Sequence, residues 1–148
     1  MATGKLTIEN PDAMASIIDA LEQVASESVL RQATVAGARL IFEEVKIRAP
    51  IGDRSWQSKG QTRYPGMLRD NILLAYDKER SVEGIRATYL VTWSKDAFYG
   101  RFLELKEHGS SREAAQPFLR PAYEATKQAA ADKFGEVIDR KVKELTNG

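Results

Sequence analysis

The sequence predicts an α+β fold: a long N-terminal helix, bent or in two pieces, and a C-terminal helix packed on a small antiparallel β-sheet, all within one domain spanning residues 1–148. Three patterns lead there. Apolar residues recur every three to four positions through Val29, Ala33, Ala36, Leu40, Ile41 and Val45, as one buried helix face requires. Between Gly84 and Trp93, Ile85, Ala87, Tyr89, Val91 and Trp93 alternate with Arg86, Thr88, Leu90 and Thr92, the period of two that belongs to a strand. From Pro121 onward, Tyr123, Ala130, Phe134, Val137, Ile138 and Leu145 outline a second long amphipathic helix.

Taken in order, Leu6 and Ile8 alternate with polar neighbours over Lys5–Glu9, which suits a short strand or an ordered arm. Asn10 can cap a helix that Pro11 opens, with Met14, Ile17, Ile18, Leu21 and Val24 on one face. Ser26-Glu27-Ser28 marks a bend or a new cap, after which the helical period runs on until Pro50 stops it. Ala33, Ala36, Gly37 and Ala38 make part of that helix narrow, so another element can approach closely. Gly37 costs about 1 kcal/mol against alanine, which close packing would offset.

Residues 51–66 carry Gly52, Gly60 and Pro65 and almost no periodicity, so a long loop is expected, of the kind that is functional or disordered. It is locally basic and aromatic. Arg54, Lys59 and Arg63 face only Asp53, with Trp56 and Tyr64 interleaved, a mixture suited to a protein partner or to phosphates and bases. Ile72–Tyr76 and the alternating run to Trp93 form an antiparallel hairpin across the charged segment Asp77–Glu83. Two strands are not stable alone, so a third is expected from Lys5–Glu9 or Ala115–Leu119, or cover from the long helix. Asp96–Glu107, with Phe98, Tyr99, Phe102, Leu103 and Leu105, fits a short helix that Gly109-Ser110-Ser111 breaks.

The stretch Gln116-Pro117-Phe118-Leu119-Arg120-Pro121-Ala122 is the most distinctive. Each proline fixes its own φ and biases the residue before it away from the helical region, so Gln116 and Arg120 should be extended. Pro121 then takes the first helical position, where its missing N–H costs nothing.

Composition narrows the chemistry. With 148 residues the chain can bury a core without staples, and it has no cysteine, so neither a disulfide framework nor a thiolate metal site is available. The 22 Lys plus Arg nearly balance 21 Asp plus Glu, so no global field steers it to nucleic acid or anionic lipid. No window reaches the roughly eighteen apolar residues of a membrane span, and no signal-peptide pattern opens the chain, which is expected to be soluble with no membrane partner. The single histidine, His108, sits beside Glu107 in a polar turn and reads as exposed. Glu43-Glu44 and Glu104 with Glu107 are carboxylate pairs of the kind that face water on helices. Gly60 to Gly66 lacks the Gly-Lys-Ser/Thr ending of a phosphate-cradling loop, so Lys59 has no Walker role. Catalysis is not expected and no cofactor or metal is implied.

Ala49-Pro50, the Gly-x-Leu-Arg element Gly66-Met67-Leu68-Arg69, Tyr99, Phe102, a glutamate ahead of Gly109, and Gln116 to Ala122 form a set. This set resembles the neck or tail-completion proteins of long-tailed bacteriophages, the gene-product-ten-like head–tail joining group related to minor tail protein Z. The resemblance covers roughly residues 29–146, and Gln116, Pro117, Phe118, Leu119, Arg120 and Pro121 are its most specific part. The family glutamate falls on Glu104 or Glu107. The resemblance implies a non-catalytic virion protein whose copies form a ring, six-fold or twelve-fold, between the head-closure and tail-terminator or tail-tube proteins, with transient contact to the passing genome. It would be made in the bacterial cytoplasm and end in the neck or tail of the particle. Arg69 and Arg120 would serve as internal ion-pair partners of Glu104 or Glu107, or at an interface. The loop with Arg54, Trp56, Lys59, Arg63 and Tyr64 would become ordered against a neighbouring subunit. The alternative from the residues themselves is a small nucleic-acid-binding module using loop 52–66.

Overall fold

The computed structural model describes residues 27–94 and 97–147, together with Asp12, Ala15, Ser16, Ile18, Asp19 and Glu22. Those six are helical and exposed, Ile18 included, although the periodicity places Ile18 on an apolar face. The strand expected at Lys5–Glu9 lies outside the described residues. The elements are α1 (Glu27–Arg48), β1 (Trp56–Ser58), β2 (Gln61–Arg63), α2 (Met67–Asp70), β3 (Ile72–Tyr76), β4 (Tyr89–Trp93), α3 (Ala97–His108) and α4 (Leu119–Asn147). The fold is α+β, with the long helices α1 and α4 packed together beside two small antiparallel sheets, β1–β2 and β3–β4.

α1 is the central element. On one side it meets α4 and on another it covers β3 and β4, while Ala122 of α4 shares the core with Ile72 of β3. The reason is legible in its spacing. Ala33, Gly37, Val45 and Ala49 are buried and Ile41 is partly so, a ridge at every fourth residue. Opposite it, Phe118 just before α4 and Ala122, Ala130 and Val137 within it are buried. Val45 and Ala49 share a core with Phe118 and Ala122, while Gly37 lies against Ala130, so the helices run antiparallel. A Cβ on Gly37 would sit 2.6 Å from the Ala130 carbonyl oxygen. Only glycine admits that approach.

The β3–β4 ladder pairs Ile72 with Trp93 through to Tyr76 with Tyr89. Ile72 is buried and Val91 packs on the same core. At the far end, the Arg31 guanidinium of α1 lies 4.0 Å from the Tyr76 ring, which tilts against Tyr89 at 5.3 Å. β4 is shorter than its alternation suggests, because Gly84–Thr88 belongs to an ordered arm. There the Asp77 N–H donates to the Thr88 carbonyl (2.9 Å), the Ser81 hydroxyl donates to the Asp77 carbonyl (2.6 Å), and Thr88 N–H donates to Ser81 Oγ (2.9 Å). Val82 and Arg86 bridge across Gly84, whose φ of 70° turns the arm back. Residues Ala115–Phe118 supply no third strand.

Loop 51–66 is likewise more structured than expected. β1 and β2 form a hairpin, Trp56 opposite Arg63 and Ser58 opposite Gln61, closed by Lys59 and Gly60 at φ 49° and 75°. Two successive positive φ values make the tight turn whose twist matches the strands. The hairpin's partners for its backbone groups lie within the chain itself.

Gly37→Ala should lower unfolding stability by about 1–2 kcal/mol despite alanine's better helix propensity, because the new methyl overlaps Ala130 backbone. Gly135→Ala, on α4 with open space around it, should raise stability by about 0.5–1 kcal/mol. Urea midpoints at equal slope compare the two, and a stabilised Gly37→Ala would refute the close approach.

Candidate functional site

The distinctive proline segment and α3 are joined by one side chain. Glu107, in the last turn of α3, reaches the start of α4 and accepts hydrogen bonds from three successive backbone amides. Its Oε2 takes Phe118 N–H at 2.9 Å and Leu119 N–H at 3.0 Å, and its Oε1 takes Arg120 N–H at 3.1 Å. A helix leaves its first amides without intrahelical partners, and its N-terminus favours negative charge. Here the next residue is Pro121, which has no N–H, and Ala122 N–H bonds the Phe118 carbonyl at 3.0 Å as the first regular helical bond. Every orphan donor of the first turn is thereby accounted for.

This geometry corrects the expected start of α4. Leu119 and Arg120 are already helical, so Arg120 is not extended and Pro121 is the third helical residue. The bias against a helical residue before proline is outweighed by the carboxylate that holds the Leu119 and Arg120 amides. Between Glu104 and Glu107, the residue that engages the motif is Glu107, while Glu104 is exposed. Burial pushes the Glu107 carboxyl up, but the amides of Phe118, Arg120 and Leu119, with the charge of His108, outweigh it and hold it below its ordinary 4.5. With both oxygens committed to structure, Glu107 is unsuited to acid–base work.

A second lock lies just beyond. Gly109 ends α3 at φ 75°, and a Cβ there would meet the Ala115 nitrogen at 2.7 Å. Ser110 N–H donates to the Glu113 carbonyl (2.8 Å), Ser110 Oγ accepts from Arg112 and Glu113 N–H (both 3.2 Å), and Lys106 pairs with Glu113. Gln116 N–H then donates to the Lys106 carbonyl at 2.7 Å. The exposed Gln116 and Pro117 are thus laid back along α3, which delivers Phe118, 1% exposed, into the core with Leu68, Ile72 and Leu103. Leu119 and Phe102 pack on the rim of that core.

The Gly-x-Leu-Arg element forms the short α2. Gly66 precedes it at φ 83°, and a Cβ on Gly66 would lie 2.9 Å from the Arg69 guanidinium. Leu68 is the buried residue, and Arg69 pairs with its neighbour Asp70 at 3.2 Å, not with Glu104 or Glu107. Arg120 meets Glu107 through its amide; its side chain is exposed. Tyr99 lies in the first turn of α3.

Beside this assembly runs a groove of about 360 Å³, lined among others by Ile51, Trp56, Tyr64, Met67, Phe102 and Gln116. Trp56 tilts against Phe102 with ring centroids 6.3 Å apart, which anchors the β1–β2 hairpin to α3. Here the sequence reading needs a further correction. Arg63 is 2% exposed, so only Arg54 and Lys59 of the three loop cations reach solvent, and Arg54 stands 3.9 Å from Asp53. Among the described residues no cluster of three metal-ligating side chains occurs, and no helix is long and apolar enough to cross a membrane.

No family model, no curated protein and no solved structure matches the chain.

Glu107→Gln should lower stability by about 1–2 kcal/mol at neutral pH, since one amide group cannot accept from three donors and presents its own. A depressed folded-state value means that the carboxylate's contribution is complete above about 4.5 and is lost as pH falls through the folded value. The difference between wild type and Glu107→Gln, followed by urea unfolding, should therefore shrink over that acid range. A gap that stays constant through it would contradict the cap. Gly109→Ala should cost about 2 kcal/mol or more from the positive φ and the overlap with Ala115 together, measured as thermal midpoint against Gly135→Ala.

Proposed function

We propose that this chain is a structural virion protein of a long-tailed bacteriophage or prophage, whose copies form a ring in the neck that joins head to tail and lets DNA pass. It performs no catalysis. Its partners are further copies of itself, six or twelve around the axis by family resemblance, and the adjacent head-closure and tail-terminator or tail-tube proteins. It is made in the host cytoplasm and ends in the particle.

One observation carries this reading: the residues on which the family resemblance rests form a single structural unit. Glu107 caps the helix that begins in the Pro-Phe-Leu-Arg-Pro segment. Gly109 permits the backbone to lie back on α3, and Phe118 meets Leu68 of the Gly-x-Leu-Arg element in the core. Motif residues used this way specify a scaffold, and the surface left to contact partners is the groove and the arms around it. A nucleic-acid module is less well supported, because Arg63 is withdrawn from the loop surface. Two exposed cations beside one acid give a small phosphate footprint.

Mixing the purified chain with its candidate neck partners and imaging the product should reveal an annulus, and the chain should be present in mature particles. Its absence from particles, with tails attaching normally after gene deletion, would overturn the reading. Steeply salt-dependent duplex binding by the isolated chain would favour the nucleic-acid alternative instead.

A further inference from the structure

Charge is unevenly distributed along this near-neutral chain. Between Leu6 and Leu30 stand Glu9, Asp12, Asp19, Glu22 and Glu27, with no Lys or Arg among them. The same stretch carries Met14, Ile17, Ile18, Leu21 and Val24 at helical spacing. Its six described positions before α1 are helical and exposed, Ile18 at 49%. An acidic helix with one apolar stripe is the kind of element that seats in a groove of opposite charge.

Such a groove exists in the molecule. From the last turn of α1 through α2, residues 46–70, the chain carries Lys46, Arg48, Arg54, Lys59, Arg63 and Arg69 against Asp53 and Asp70. Glu44 answers Arg48 at 2.6 Å and Arg63 is buried, which still leaves this wall positive. α3 is balanced, with Arg101 and Lys106 against Glu104 and Glu107, and the linker to α4 brings Arg112 and Arg120 against Glu113. Within the groove, Ile51 is 56%, Tyr64 43% and Trp56 38% exposed. A recess that is apolar inside and basic around its wall complements a helix that is apolar on one side and acidic on the rest.

A single copy does not bring the two together. The acidic helix precedes Glu27 and the groove begins at Pro50, so the 22 residues of α1, about 33 Å of helix, stand between them. Among the described residues, none before Pro50 lines the groove. We propose that the acidic helix around Ile18 of one copy seats its apolar stripe in the Ile51–Trp56–Tyr64 groove of the next. Different patches at the two ends of α1 give a head-to-tail contact, which closes into a ring when the rotation per copy allows. The inference rests on the ring reading above and names the contact that would build it.

Because the chain has no cysteine, introduced cysteines report the contact directly. Full-length Ile18→Cys chains mixed with tagged Tyr64→Cys chains and oxidised should give a heterodimer on a non-reducing gel, and the double variant a ladder of multimers. Equal dimerisation by Ile18→Cys alone would mean that the helices pair with each other, and a double variant that closes only on itself would mean that the helix folds onto its own groove. Either result overturns the inference, as does monomer throughout. Charge is tested separately. Asp19→Lys with Glu22→Lys should cut the heterodimer yield at least tenfold, as should Arg54→Glu with Lys59→Glu in the other chain, and mixing the two reversed chains should restore it. An undiminished yield, or no recovery in the reversed pair, overturns the inference. Ile18→Lys keeps a good helix former at an exposed site, so circular dichroism and the urea midpoint should not change while assembly falls. Rings that persist in Ile18→Lys defeat the helix-and-groove contact and leave the neck reading standing. A cross-linked ladder from a chain absent from mature particles does the reverse.

Discussion

The structure depends on one carboxylate serving three amides. Phe118 and Leu119 go into or against the core, so the backbone between them is withdrawn from water where α4 begins and has unpaired donors. A buried N–H without a partner costs about 1–3 kcal/mol, and the half-buried amides of Phe118 and Leu119 would carry part of that cost. Glu107 removes that cost from across a turn, with bonds of 2.9 to 3.1 Å, and in doing so fixes where α3 ends relative to where α4 starts. Pro121 belongs to the same solution, because it brings no fourth N–H that needs a partner.

From that fixed corner the rest of the packing follows. α4 leaves the cap antiparallel to α1, and the ridge at every fourth residue of α1 changes character along its length. Val45 and Ala49 fill space near Phe118, whereas Ala33 and Gly37 surrender it near Ala130. The helices can therefore approach closely at one end and hold a core at the other. α1 in turn carries β3–β4, a sheet of two strands that would be marginal in water without such cover. Gly100 shows the same device on a smaller scale: a Cβ there would meet the Trp93 indole nitrogen at 2.9 Å, so glycine lets the ring lie on α3.

Much of this was legible in the sequence, and what was not has physical reasons. The long helices and β4 announce themselves through spacing, since burial on one face repeats with the geometry of the element. Short α3 was readable for the same reason. Strands of three residues are too brief to show a period, so the β1–β2 hairpin looked like loop, though Lys59-Gly60 is what a two-residue turn requires. Arg63 reads as a surface cation because charged residues are rarely buried; its withdrawal depends on tertiary neighbours. The Glu107 cap spans eleven to thirteen residues, outside the local capping patterns that sequence reading relies on. Composition alone leaves it indistinguishable from Glu104.

The placement of exposed apolar groups separates this surface from that of an ordinary solvated domain. Along α4, Tyr123, Phe134 and Leu145 occur singly among the pairs Glu124–Lys127, Lys133–Glu136 and Lys141–Glu144. Scattered apolar side chains of that kind need no partner to explain them. Val82 and Ile85 differ, because a dense set of backbone bonds is spent on holding them outward, and folding gains nothing from their exposure. Ile51, Trp56 and Tyr64 differ too, since they gather around one concavity.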